Sequence, residues 1–307
     1  MANICLASAC ALTILLAAPG LSAQAPSAAD DAFKQAQQML RDGYAAEAVA
    51  LVRKAADAAP ASMQANSQAG VILDLQGRYA EARQYFDKAI AAATPEEKPR
   101  ALRNMAMSYA FQRDCGGAVK YQQQAFDLQM AKSDFDGAAG AANEVARACL
   151  ESNRIEEATT WYRKGYDTAL KAADLTPAQK DLWQFRWEHA QARIAARRGQ
   201  KAEADKHVAA AKAVLDKGTN PEQAPFLPYL VGYVAFYGGD DKAAIAELQK
   251  ADQEDPFVLA LMAQAHEKLQ EDAKAKELYR KILGVTSHTP ANAYARPLAV
   301  EKLKAKS

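Results

Sequence analysis

The 307-residue sequence has no excess of either charge and few runs of β-branched residues. Its 38 Lys and Arg residues balance 37 Asp and Glu residues, and the formal net charge is +1. We therefore expect no nucleic-acid partner, because dedicated nucleic-acid-binding domains are usually strongly basic. Half of the residues are apolar and many of these are alanine, which favours helices that pack closely through small side chains.

The sequence also lacks the motifs of catalytic and metal sites. Its four histidines are dispersed: His189, His207, His266 and His288. His266-Glu267 has no second histidine four residues after the first, as a zinc-protease motif requires. There is no glycine-rich phosphate loop and no nucleophile elbow. We therefore expect no enzyme activity, no cofactor and no metal site.

One short apolar run lies near the amino terminus, and no later segment is apolar enough to span a membrane. The run includes residues 14–18, is too short to cross a bilayer, and is followed by the small-x-small sequence Ala23-Gln24-Ala25. This order is typical of a secretory signal peptide cleaved after Ala25, although no Lys or Arg precedes the run. We therefore expect residues 1–25 to be removed and the mature chain, 26–307, to be periplasmic or secreted.

A fixed spacing of small residues recurs seven times in the mature chain. In the best-formed copy, Gly77 is followed by Ala82, Phe86 and Ala89. The first alanine of the copies is found at Ala48, Ala82, Ala118, Ala158, Ala204, Ala244 and Ala275. Another small residue precedes each by twelve positions: Ala36, Gly70, Ala106, Ala146, Ala192, Gly232 and Ala263. Because the spacing is fixed within copies and varies between them, it predicts a stacked array of helical units.

Turn residues and prolines place the boundaries of the units. A glycine such as Gly43 or Gly77 marks the turn between two helices, because a left-handed residue often ends a helix. The predicted units lie near residues 32–60, 61–93, 95–130, 138–170, 178–216, 222–254 and 256–284. A last helix near residues 290–305 is expected to cover the open end of the stack, as terminal repeats require.

These units resemble tetratricopeptide repeats, which have a small residue in the first helix, a glycine near the turn and an alanine–large–alanine pattern in the second helix. The stretch from Gly77 to Ala89 is a close match, whereas Gln122 replaces the large apolar residue in the third unit. The resemblance implies an all-α fold, a right-handed α-solenoid of about seven repeats with a C-terminal capping helix. It also implies a function in binding proteins or peptides.

The unit boundaries also place the two cysteines of the mature chain. Cys115 lies near the start of one helix and Cys149 near the end of the neighbouring antiparallel helix, so the two ends meet on one side of the stack. In an oxidising compartment such a pair is a disulfide candidate. The alternative is that Cys149 is buried in the seam between helices and Cys115 is an exposed turn thiol.

The family resemblance implies a concave surface lined by the first helix of each unit. Some side chains of these helices are not assigned to the face that packs on the second helix, and we expect them to face the concave surface. They predict a groove of Arg100, Arg103, Asn143, Arg147, Arg186, His189, Arg193 and Arg197, with an aromatic wall of Tyr229, Tyr233 and Tyr237. Arginine grips a carboxylate through two parallel hydrogen bonds, and aromatic rings bury area at little entropic cost. We therefore expect a protein or peptide partner, with a carboxylate as one point of attachment.

Two alternatives stay open at this stage. The arginines also suit a solvated face that pairs with Glu144, Glu151 and Glu188, and the tyrosines also suit packing between repeats. The chain is thus expected to be a non-catalytic scaffold or adaptor of the cell envelope that binds a partner in the groove. The other hypothesis is a structural subunit of a larger envelope complex, which docks through its convex face or its ends and leaves the groove unused.

Overall fold

In a computed structural model of the protein, the described residues are 27–304, and they form fifteen α-helices and one 3-10 turn without any β-strand. The predicted signal peptide, with its cleavage site at Ala25, lies outside the described residues. Within residues 27–304, no helix combines the length and the apolar character needed to cross a membrane.

The helices follow one another with short connections. Their bounds are α1 Ala28–Arg41, α2 Ala45–Ala58, α3 Met63–Leu75, α4 Tyr79–Ala92, α5 Lys98–Phe111, α6 Cys115–Ala131, α7 Phe135–Glu151, α8 Ile155–Ala169, α9 Pro177–Arg197, α10 Lys201–Leu215, α11 Phe226–Tyr237, α12 Asp241–Leu248, α13 Pro256–Lys268, α14 Asp272–Gly284 and α15 Pro290–Lys304. The 3-10 turn Pro221–Gln223 precedes α11.

The first fourteen helices form seven consecutive pairs, from α1 with α2 to α13 with α14, and each pair packs on the next. The predicted all-α solenoid is thereby confirmed. Two helices begin earlier than the expected units do. Ser27 caps α1 at residue 28, and Asp134 caps α7 at residue 135 by accepting a hydrogen bond from the amide of Gly137. Residues 135–137, between the expected third and fourth units, therefore belong to α7.

Every turn within a pair contains one residue with a left-handed backbone. Four of these residues are glycines and three are not: Gly43, Gly77, Arg113, Asn153, Gly199, Gly239 and Gln270. Arg113 and Gln270 adopt φ angles of 57° and 61°, a conformation that costs residues with a Cβ about 1–2 kcal/mol. The glycines after the third turn, Gly116 and Gly117, lie inside α6 instead. The left-handed turn backbone is thus kept in the three turns that lack a glycine at this position.

The small residues of the repeat pattern lie where the two helices of a pair cross. A Cβ on Gly70 would lie 2.5 Å from Cε1 of Phe86, and one on Gly232 would lie 2.6 Å from Cγ of Leu248. Phe86 and Leu248 are fully buried. In these two pairs the large residue of the second helix therefore fills the space that the glycine on the first helix leaves.

The last helix does more than cover the end of the stack. It packs on α13 and α14, as expected of a cap, and it also packs on α5 and α7 from the third and fourth pairs. The buried residues Ala295, Leu298 and Ala299 of α15 belong to one core cluster with residues of α13 and α14, whereas Ala293 belongs to the larger cluster that includes residues of α5 and α7. In addition, Gln37 of α1 donates a hydrogen bond to the carbonyl oxygen of Thr286 (3.2 Å). Seven pairs thus curve far enough for the two ends of the array to meet.

A disulfide bond joins Cys115 and Cys149, whose Cα atoms are 4.7 Å apart. Cys115 is the first residue of α6, and Cys149 lies near the end of α7. The bond therefore links the third helix pair to the fourth, between two helices that pack against each other.

Candidate functional site

A cavity of about 530 Å³ lies on the side of the first helices, between α7, α9 and α11. We call it the concave chamber. It is lined by Gly140, Asn143, Glu144, Arg147, Tyr162, Phe185, Arg186, His189, Arg193, Gln223, Phe226, Tyr229, Asp255, Phe257, Thr289, Pro290 and Ala291. Six of the predicted groove residues are among them, and the start of α15 forms part of the wall.

A second cavity of about 490 Å³ lies between α5, α6 and α7 and is lined by the predicted residues Arg100 and Arg103. Gly140 and Glu144 line both cavities. The predicted arginine stripe is therefore divided between two neighbouring cavities and does not line one continuous groove.

Arg103 forms a two-fold hydrogen-bonded ion pair with Glu144, with both N–O distances at 2.6 Å. The side-chain amide of Gln122 also donates to Glu144 (3.1 Å). Gln122 occupies the position where other units have a large apolar residue, and it is 1% exposed. This polar substitution in the repeat pattern therefore supports an ion pair on the concave side.

Arg147 is buried in a cluster of aromatic rings. Its guanidinium lies 3.5 Å from the ring centroid of Phe257, forms an ion pair with Glu151 (2.8 Å), and donates to the hydroxyl of Tyr229. Burial disfavours the charge, but the interactions with Tyr229 and Glu151 hold the pKa of Arg147 above its ordinary value. Arg147 is thus a charged group with its own partners inside the chain.

Arg197 shares Glu151 with Arg147. Its Nη1 lies 3.4 Å from both Glu151 and the hydroxyl of Tyr233, and its guanidinium lies 4.8 Å from the ring centroid of Tyr237. Neither tyrosine lines the chamber. These contacts agree with the interpretation that the tyrosines pack between repeats. Burial raises the pKa of both hydroxyls, so the rings stay neutral.

Three of the predicted residues in the chamber form no ion pair: Arg186, His189 and Arg193. Arg186 lies 4.7 Å from the ring centroid of Trp183. Arg193 is only 5% exposed; its Nε donates to the carbonyl oxygen of His189 (3.2 Å), and its Nη1 has no hydrogen-bond partner in the protein. Glu188, considered as a partner of the arginines, contacts His207 instead. The concave chamber therefore holds positive charge that the chain does not neutralise by ion pairing.

His189 stacks on Tyr229, with ring centroids 5.7 Å apart, and its Nε2 is buried without a hydrogen-bond partner. Burial lowers the pKa of His189 well below its ordinary value, and the charges of Arg193 and Arg147 lower it further. At neutral pH the imidazole is therefore uncharged and adds a polar, aromatic surface to the chamber.

The structure also adds residues to the site that the repeat pattern did not indicate. Tyr162 lies four residues after Ala158, at the position of the large packing residue, and its hydroxyl is buried without a hydrogen-bond partner. Phe257 and the segment Thr289–Ala291 line the chamber because the array closes on itself. No local sequence signal marks such residues, since the contacts arise from the curvature of the whole chain.

Comparison with known proteins gives one family match by sequence. A sequence model described as a tetratricopeptide repeat matches residues 64–94, which contain most of α3 and all of α4. The comparison with curated proteins gave no match.

Among solved structures, the chain is similar to a tetratricopeptide repeat protein from Parabacteroides merdae, with 14% sequence identity and a TM-score of 0.49; the match covers 90% of this chain and 97% of that one. It is also similar to a chain in the APC/C hetero-tetramer Cut9–Hcn1, with 15% identity and a TM-score of 0.45, over 89% of this chain and 48% of that one. The tetratricopeptide-repeat model therefore matches one of the seven helix pairs, that of α3 and α4, and the other six pairs carry the same spacing of small residues.

Proposed function

We propose that the chain is a non-catalytic scaffold or adaptor of the cell envelope that binds a protein or peptide on its concave side. The observation that carries this proposal is the concave chamber, which gathers six predicted groove residues around about 530 Å³. Arg186 and Arg193 form no ion pairs within residues 27–304. Their guanidinium groups can therefore bind an acidic group of another protein or peptide.

The walls of the chamber suit a partner that combines an acidic group with apolar side chains. Phe185 and Phe257 are buried in its wall, and Phe226 is 45% exposed at the start of α11. Aromatic side chains of this kind dominate the energetics of protein interfaces, because they bury a large area and lose little conformational entropy. Covering Phe226 is therefore expected to contribute to partner binding.

The envelope location rests on the predicted signal peptide and is consistent with the Cys115–Cys149 bond, since such bonds persist mainly in oxidising compartments. Mass spectrometry of the protein from a periplasmic extract should show a mature chain that begins at Pro26. A chain recovered from the cytosol with residues 1–25 intact would contradict the proposed location.

Affinity capture from the native periplasm tests the binding surface. The bait is the mature chain, compared with an Arg186→Gln, Phe226→Ala double variant; neither residue forms an ion pair inside the protein. The control is Arg280→Gln, an exposed position on α14. We expect the bait and the control to retain the same partner and the double variant to lose it. Equal retention by all three would contradict binding in the chamber.

The second hypothesis, a structural subunit with an unused groove, is favoured by a different observation. The last helix covers part of the concave side by packing on α5 and α7, and Arg103, Arg147 and Arg197 are already paired with Glu144 and Glu151. If the chain is such a structural subunit, the partner should stay bound to the Arg186→Gln, Phe226→Ala variant. It should be lost when an exposed residue outside the chamber is changed instead, such as Tyr44 at the turn between α1 and α2.

A further inference from the structure

We propose that the concave chamber is a binding site for a small organic acid, whose negative charge is attracted by Arg193 and by the start of α15 and whose apolar body lies between the aromatic rings. This inference rests on the proposed function only in placing recognition on the concave side, and it requires no protein partner. The chamber would then bind a small molecule in addition to, or in place of, a protein partner.

The first support is a set of buried polar atoms that the protein leaves without partners. Nη1 of Arg193, Nε2 of His189 and the hydroxyl of Tyr162 belong to residues that line the chamber, and none of these buried atoms has a hydrogen-bond partner within residues 27–304. The Arg193 guanidinium lies 5.3 Å from the ring centroid of Tyr162, so these two side chains are adjacent. Arg193 and Tyr162 are 5% and 4% exposed. Buried polar groups nearly always have a partner, and a buried charge without one is costly. A ligand oxygen would satisfy them.

The second support is the amino terminus of α15, which is part of the same wall. Thr289 accepts hydrogen bonds from the amides of Asn292 and Ala293, at 3.4 Å to its hydroxyl and 2.9 Å to its carbonyl oxygen. Pro290 has no amide hydrogen, and the amide of Ala291, in the first turn, has no acceptor within the helix. The start of a helix carries a partial positive charge and binds anions. This feature comes from a different part of the chain than Arg193, yet it lines the same cavity.

The charge balance of the chamber also favours an anion. Only two carboxylates line it, and both are engaged: Glu144 is held by Arg103, and Asp255 caps α13 by accepting from the amide of Phe257 (2.8 Å). Burial raises the pKa of Asp255, which reduces its tendency to be charged. Arg186 and Arg193 form no ion pair within residues 27–304, although the charge of Asp136 acts on Arg186. An anionic ligand therefore gains favourable electrostatic interactions on entering.

The size and the apolar surface of the chamber define the rest of the ligand. A volume of about 530 Å³ is within the usual range of small-molecule sites. Phe185, Phe226 and Phe257 supply an apolar wall for an aromatic or aliphatic body. The volume of the chamber limits the size of that body.

Calorimetry with the mature chain tests the assignment. The probes are four monocarboxylates, benzoate, 3-phenylpropionate, indole-3-acetate and octanoate, each compared with its neutral amide. We expect at least one acid to bind at least tenfold more tightly than its amide, because the amide lacks the charge that Arg193 and α15 recognise. Arg193→Gln should weaken that acid at least tenfold. Arg198→Gln, which changes an arginine five positions later and removes its ion pair with Glu156 outside the chamber, should leave the affinity unchanged.

Thermal unfolding without ligand shows whether the Arg193→Gln variant is folded. Its melting temperature should equal or exceed that of the unchanged protein, because the variant removes a buried charge that forms no ion pair within residues 27–304. If the variant is unfolded, Tyr162→Phe replaces it, and the same loss of acid binding is expected. The assignment is overturned if no acid in the set binds, if acids and amides bind equally, or if the folded variant binds as the unchanged protein does.

Two further outcomes separate this inference from the proposed function. A peptide ending in a free phenylalanine carboxylate that binds more tightly than every free acid would overturn the small-acid assignment and leave the scaffold function supported. Acid binding that depends on Arg193, without any partner captured through the chamber, would support the small-acid site and remove the scaffold function.

Discussion

The side chain of Arg296 in α15 donates a hydrogen bond from Nε to the carbonyl oxygen of Leu75 at the end of α3, over 2.6 Å. The two residues are 221 positions apart in the sequence. Nη1 of the same guanidinium donates to the carbonyl oxygens of Leu283 and Val285, at 2.9 and 3.1 Å. One buried side chain thus joins the end of the array to its second helix pair.

We expect Arg296→Met to lower the free energy of unfolding by about 2–3 kcal/mol, because it leaves buried carbonyl oxygens without their donor. The loss of a buried charge offsets part of this cost, since burial lowers the pKa of Arg296 to about 10. Urea denaturation measures the difference. Arg280→Met, at an exposed position on α14, should change the same quantity by less than about 0.5 kcal/mol. Equal stability of both variants would show that the contact with Leu75 does not hold the ends together.

Reduction of the Cys115–Cys149 bond should destabilise the protein by about 3 kcal/mol. The bond closes a loop between residues 34 positions apart, and opening it restores conformational entropy to the unfolded chain. Denaturation curves with and without dithiothreitol measure the effect. A Cys115→Ser, Cys149→Ala double variant should be equally stable in both conditions. A protein that reductant fails to destabilise would show that the bond does not constrain the unfolded chain.

Gly70→Val should destabilise the protein by about 1–3 kcal/mol, because its Cβ would enter the space of the fully buried Phe86 ring. Gly140→Ala, inside α7, is the matched control: a Cβ there meets no atom within 4 Å. It should stabilise the protein by about 0.5–1 kcal/mol, since alanine is the better helix former. Thermal unfolding of both variants measures the contrast. A stabilising effect at both sites would mean that the crossing of α3 and α4 tolerates a larger residue.

His189 should make stability fall as the pH drops below about 6.5. Burial, together with the charges of Arg193 and Arg147, lowers the pKa of His189 in the folded state. The unfolded chain therefore takes up a proton near pH 6.5 that the folded chain does not, so stability is full above that pH and is lost below it.

The size of this effect comes from comparing the unchanged protein with His189→Gln in urea denaturation at pH 7.5 and pH 5. The unchanged protein should lose about 1–2 kcal/mol more than the variant, at no more than about 1.4 kcal/mol per pH unit for one proton. The other histidines contribute to both proteins and cancel in the comparison. Parallel pH curves would show that His189 takes up its proton equally in both states.

The repeat spacing alone predicted the all-α solenoid, because helix pairs need small residues wherever their backbones cross. Ala82 and Ala89 on one helix and Gly70 on its neighbour are such positions, and each is set by residues close in sequence. The same locality explains why the cysteines, on adjacent helices, were recognised as a candidate pair. Turn geometry was predictable at Gly77 but not at Arg113 or Gln270, where packing on both sides holds a residue in a conformation that its own preferences oppose.

Which side chains share the concave chamber was decided by the tertiary structure. The sequence indicated a stripe of arginines, with pairing to Glu144, Glu151 and Glu188 as the alternative, but it did not show that Arg103 and Arg147 would form such pairs while Arg193 would form none within residues 27–304. Such pairing depends on rotamers and on separations of a few ångströms between helices. The amino-acid pattern restricts neither.

The closure of the array was likewise absent from the sequence pattern. Small rotations between successive pairs add up over the chain, and their sum places α15 against α5 and α7 and brings Arg296 to Leu75. The sequence by itself determined the repeating unit, since that unit is held together by contacts between neighbours in the chain. Only the tertiary structure decided where the ends meet and what lines the chamber, because both depend on the accumulated curvature of seven pairs.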